Sequence, residues 1–142
     1  MSRLRPALRA AEALVLLLAV TALRRCVPMR RWAPPLIGGP RAARASDGAG
    51  EVLSYADEQV RRAVRAASRR SPLPFSCLDE AVAGGLMLRR RGFHAAVVVG
   101  LPTTDAVADS HAWLLGSCDA IVLGHGSAPN YAPVTVFRKA PR

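Results

Sequence analysis

The stretch Ser76–Gly100, "SCLDEAVAGGLMLRRRGFHAAVVVG", reads as a helix followed at once by a strand. Ser76 suits an N-cap, with Asp79 and Glu80 in the first turn, where acids are favoured. The apolar pattern then runs to about Arg91, and Gly92 is placed to end the helix in a left-handed conformation. "FHAAVVVGL" follows as a short Val-rich strand, and "SHAWLLG", "AIVLG" and "APVTVFR" repeat the type, each bounded by Gly, Pro, Asp or Asn. Helices followed by consecutive short strands predict an α+β fold, with N-terminal helices packed on a small antiparallel sheet.

Upstream, "EVLSYADEQVRRAVRAASRR" (51–70) places Val52, Ala56, Val60, Ala63, Val64 and Ala67 at three- and four-residue spacing. Arg61, Arg62, Arg65 and Arg69 fall on the other side, so the segment predicts an amphipathic helix with a basic face. Pro72 and Pro74 end it. From Val27 to Glu51 four prolines and the glycines 38, 39, 48 and 50 predict a loop or linker. Two regions follow from this layout: residues 1–46 as a basic, apolar helix with its linker, and residues 47–142 as the core.

The chain has 142 residues, enough for one modest hydrophobic core. Its formal net charge is +10, and Lys139 is the only lysine. Such a balance suits nucleic acid, an anionic membrane surface or an acidic protein partner. The arginines cluster at 3–9, 24–31, 61–70 and 89–91, at helix ends and on helix faces. No exposed aromatics interleave them as an RNA-binding sheet requires, so nucleic acid is not expected. Arg89–Arg91 reads as a solvated helix end. Three cysteines, Cys26, Cys77 and Cys118, lack both an even count and metal-ligand spacing, so neither a disulfide framework nor a metal is expected. Cys26 and Cys118 read as structural. At the N-terminus an apolar run from Ala13 to Leu23 is preceded by Glu12 and closely followed by Arg24, Arg25, Arg30 and Arg31, which disfavours export. Residues 1–25 therefore read as an amphipathic or buried helix that touches a membrane surface, in preference to a signal peptide cut after Ala22.

For chemistry the first candidate is Cys77. Thiolates are the nucleophiles, and helix N-termini and neighbouring histidines favour them. Sequence supplies the first condition, and only folding can supply the second. The competing reading is a small buried hydrophobe. Among His94, His111 and His125, His111 is best placed, because it shares a strand face with Trp113 and Leu115. It reads either as the partner of Cys77, shielded by Trp113, or as half of a packed core pair. His94 lies beyond the far end of the Cys77 helix, roughly 20 Å away. Gly84 and Gly85, in mid-helix, read as room for close packing against the sheet.

The order of a basic apolar helix, "PMRRW", "VRRAVRAASRR", "CLDEAVAGGLMLRRRGF", "VVVG" and "HAW" resembles the leader peptidases of lasso peptide biosynthesis, a transglutaminase-like, papain-related cysteine peptidase family. The resemblance covers almost the whole chain and is most specific in the Cys77 helix and the H-A-W strand. It implies a cytoplasmic bacterial enzyme without a cofactor. Such an enzyme cuts the leader from a ribosomally made precursor peptide and hands the core to an asparagine-synthetase-like cyclase, while a separate winged-helix protein recognises the leader. By the same resemblance Cys77 attacks the scissile carbonyl, His111 moves the proton, and an acid orients the imidazole. The chain departs from the family pattern at that acid. Asp119 is the nearest downstream carboxylate and ranks first; Gly124 or His125 stands near the expected position, Asp105 and Asp109 precede the strand, and Asn130 offers an amide. A second departure is Leu115, where an acid is usual. The missing acid leaves a noncatalytic, partner-binding family member as the alternative.

Overall fold

The structure is a computed structural model and describes residues 4–44, 46–104, 109–124 and 130–139. In chain order it has α1 (Leu4–Cys26), α2 (Met29–Ile37), β1 (Pro40–Ala42), α3 (Tyr55–Arg70), α4 (Cys77–Arg90), β2 (Ala96–Pro102), β3 (His111–Leu115), β4 (Ile121–Leu123) and β5 (Tyr131–Arg138). The five strands form one sheet in the order β1-β5-β2-β3-β4, and each neighbouring pair is antiparallel. The α+β class expected from the sequence is thus the observed one.

Strand alternation gives the sheet two faces. Val97, Ala112, Leu114, Val122 and Leu123 meet Leu17 of α1, Val60 and Val64 of α3, and Val82, Met87 and Leu88 of α4 in the main core. Ala96, Val98, Trp113, Leu115 and Val136 form a smaller cluster on the opposite face. Gly84 of α4 lies flat on the inner face: a Cβ there would stand 2.7 Å from Leu114 Cδ2 and 2.8 Å from Leu123 Cδ1. The helix thus gives up about 1 kcal/mol of intrinsic propensity to approach the sheet.

Both long interior helices begin the same way. Ser54 caps α3 and Ser76 caps α4, each side chain accepting from the backbone N–H three residues on, while Asp57 and Asp79 accept in return. The Ser54 box corrects the expected start of the first of these helices at Glu51, and Val52 lies before it, 72% exposed. Gly92 does end α4 with a left-handed backbone, at φ 83°.

The expected linker from Val27 to Glu51 is in part structured. It contains α2, despite Pro34 and Pro35, and β1, which pairs with β5. Burial of Trp32, Ala33 and Ile37 explains this, since fully burying such apolar side chains is worth about 1.5–3 kcal/mol each for the larger ones. The arginines after Leu88 form a helix end that is solvated at Arg90 and Arg91, as expected, and is also paired: Arg89 donates to Leu36 O, and Arg90 and Arg91 pair with Glu12 of α1. Cys26 and Cys118 are exposed free thiols, not packed ones.

Candidate functional site

Cys77 is the first residue of α4, directly after its Ser76 cap. The cap is held from two sides. Ser76 Oγ accepts from Asp79 N at 3.2 Å, and Asp79 Oδ2 accepts from Ser76 N at 2.9 Å. Arg24, near the end of α1, closes a fork on the same carboxylate, Nε to Oδ1 at 2.9 Å and Nη2 to Oδ2 at 3.3 Å. Asp79 is fully buried. Burial alone would push its carboxyl up, but the Arg24 guanidinium and the Ser76 N–H outweigh it and hold the group below the ordinary carboxylate value. Arg24 is in turn raised, chiefly by its bond to Asp79. The turn that carries Cys77 is therefore clamped to the N-terminal helix.

β3 meets that turn through its backbone. The N–H of Ala112 donates to Cys77 Sγ at 3.4 Å, which brings the residue next to His111 onto the sulfur. The His111 ring points to the outer face with Trp113, their centroids 5.9 Å apart, and lies 5.0 Å from the Tyr131 ring of β5. Its Nε2 lies 3.2 Å from Gly124 O, just past the end of β4. No hydrogen bond joins the sulfur directly to the imidazole among the described residues.

The Gly124 contact has a chemical consequence. A carbonyl only accepts, so Nε2 must carry the proton, and in the neutral ring Nδ1 is left as the base. Gly124 reaches this place with φ 87°, and a Cβ on it would stand 2.7 Å from Trp113 Cβ, so only glycine fits here without strain.

The remaining candidates lie elsewhere. Asp119 sits in the β3–β4 turn with φ 55°, beyond the Leu115 end of β3 and so at the opposite end of the strand from His111. Its Oδ1 pairs with Arg138 at 2.6 Å. Asn130 is exposed, and its backbone carbonyl accepts from the Thr103 N–H and hydroxyl at 3.1 and 3.0 Å. Asp109 is exposed, and His94 is exposed just past the far end of α4. Asp105 and His125 lie outside the described residues. Arg24 escapes the sequence reading, which places Gly124 near the expected orienting position without seeing its carbonyl as the group that does it. Arg24 is separated from its partner by 55 positions, and the Gly124 carbonyl is a group that every residue possesses.

The arrangement is thus a capped helix opening on a cysteine, packed on an antiparallel sheet whose adjacent strand opens on a histidine. The chain matches the transglutaminase-like superfamily over residues 10–138 and belongs to it; that superfamily includes cysteine peptidases. No curated protein and no solved structure matches the chain.

Proposed function

We propose that this protein is a cytoplasmic cysteine peptidase that removes the leader from a ribosomally synthesised precursor peptide during lasso peptide maturation. The observation that carries the reading is Cys77 at the capped N-terminus of α4, its sulfur accepting from the Ala112 N–H next to His111, whose Nε2 lies against Gly124 O. The residue order described above supports the choice of substrate.

In this reading His111 Nδ1 takes the Cys77 proton, and the sulfur attacks the scissile carbonyl. Positive charge at the α4 N-terminus favours the oxyanion. His111 then returns the proton to the leaving amine, freeing the core peptide with a new N-terminus. Water hydrolyses the remaining thioester and releases the leader as a carboxylic acid. The ring must approach the sulfur as substrate binds, as catalytic hydrogen bonds commonly tighten in the complex. A winged-helix protein presents the leader, and an asparagine-synthetase-like cyclase takes the core.

Cys77→Ala tests the assignment directly. Release of core peptide, followed by mass spectrometry with the leader-recognition protein present, is expected to fall by at least about 1,000-fold. The melting curve should stay near that of the wild type, and unchanged cleavage would refute the peptidase.

A second reading draws on the absence of a carboxylate on His111 among the described residues: a noncatalytic member that binds precursor or partner. The two separate on thiol chemistry. A peptidase should alkylate at Cys77 faster than at the exposed Cys26 and Cys118, whereas equal or slower labelling favours the binding module.

A further inference from the structure

α1 is apolar on two faces. Ala13, Leu17 and Val20 fill the core, as an amphipathic helix would have them. Leu4, Leu8, Ala11, Val15, Leu18 and Ala22 recur at spacings of three and four on the opposite side and face solvent; Leu4, Leu8 and Val15 are each more than 60% exposed. This stripe runs the length of a 23-residue helix, roughly 33 Å at 1.5 Å per residue. It carries no charge and no hydrogen-bonding side chain. Beside it a groove of about 450 Å³, lined by Leu14, Leu18, Ala67, Pro72 and Leu73, extends the apolar surface. Leu73 in that loop is 52% exposed.

The borders are basic. Arg5 and Arg25 flank the stripe and Arg70 lines the groove; all three are exposed and have no acidic partner among the described residues. Residues 1–46 hold nine arginines and one acid, Glu12.

We propose that this face seats the protein on an anionic lipid surface, with α1 lying in the interface and not crossing it. A stripe without donors, acceptors or charges has nothing to fix the register of a peptide, but a bilayer requires no register. Arginine borders attract phosphate headgroups and repel a second copy of a chain with net charge +10. The helix is long and apolar enough to cross a bilayer. Crossing would strip Leu17 from the core and break the Arg24–Asp79 and Glu12–Arg91 pairs, whereas lying flat keeps them.

Flotation of the full chain tests this with vesicles of phosphatidylcholine alone and of phosphatidylcholine mixed with phosphatidylglycerol. Binding is expected to the mixed vesicles, weaker at high salt, and reduced by at least about tenfold in Leu8→Glu/Val15→Glu. Because both side chains are exposed, the variant's melting curve should match that of the wild type. Arg5→Gln/Arg70→Gln should lose the preference for anionic vesicles, which checks the charge independently of the apolar pair. Three results would overturn the proposal: no flotation at low salt, flotation indifferent to both variants, or sedimentation showing a dimer that Leu8→Glu/Val15→Glu dissolves while the wild type stays off vesicles.

Discussion

At the scale of single residues, His111 and Asp119 illustrate how little a residue's type says about its role. An imidazole needs an acceptor on one nitrogen to present a base on the other, and a backbone carbonyl satisfies that requirement as well as a carboxylate does. What a carbonyl lacks is the charge that stabilises the imidazolium. Gly124 O supplies the acceptor here, so long-range proton–nitrogen correlation spectra should show His111 protonated on Nε2 near neutral pH. An Nδ1–H tautomer would remove the basis of the site. Asp119→Asn, by contrast, should leave that tautomer and the cleavage rate within about twofold, because its partner is Arg138 and its loss is that of a half-exposed surface pair. A large loss of activity with an unchanged tautomer would return Asp119 to the mechanism.

At the scale of elements, local chemistry and tertiary burial divide the outcome. Ser76 and Asp79 declare the start of α4 in sequence, because a capping box is a contact between near neighbours. The same S-x-x-D pattern at Ser54 and Asp57 starts α3, yet the apolar spacing of Val52 pointed one turn earlier; periodicity continues past a helix end, and capping does not. α2 failed to show in sequence because its prolines argue against it locally, and only the pocket that takes Trp32 and Ile37 argues for it. Contact between α4 and the sheet rests on Gly84. Gly84→Ala is expected to destabilise by about 1 kcal/mol in urea titration: the gain in helix propensity is smaller than the cost of displacing the fully buried Leu114 and nearly buried Leu123. A stabilised variant would mean that the two leucines move freely.

At the scale of the whole molecule, one ion pair joins the first helix to the turn that carries Cys77. Arg24 is partly exposed and Asp79 is fully buried, so the two are not equivalent when one is removed. Arg24→Ala strands a buried carboxylate and should cost about 3 kcal/mol, while Asp79→Asn keeps a capping oxygen and leaves Arg24 facing water, at about 1 kcal/mol. The double variant should be more stable than Arg24→Ala alone; equal instability would show that the charge of Asp79 is not the cause. The sign of the pH dependence follows from the same group. Asp79 is depressed in the folded state, so its contribution is complete above the ordinary value of 3.8 and is lost as pH falls through the lower folded value. In acid titrations below that value, wild type and Asp79→Asn should converge in stability, and parallel curves would contradict the depression.

Sequence alone determined the α+β class, the four later strands and the N-cap before Cys77. Each of these is written in near neighbours: caps reach three residues, strands alternate every second one, and turns need Gly or Pro where the chain bends. Tertiary structure alone decided which group holds His111, that the Cys77 sulfur meets the H-A-W strand, which helix clamps the Cys77 turn, and which face of α1 stays uncovered. Those depend on Gly124 bending back on Trp113, on Arg24 reaching across 55 positions to Asp79, and on the core having room for only one side of α1. Distances of that kind are set by the packing of the whole chain, and no local pattern carries them.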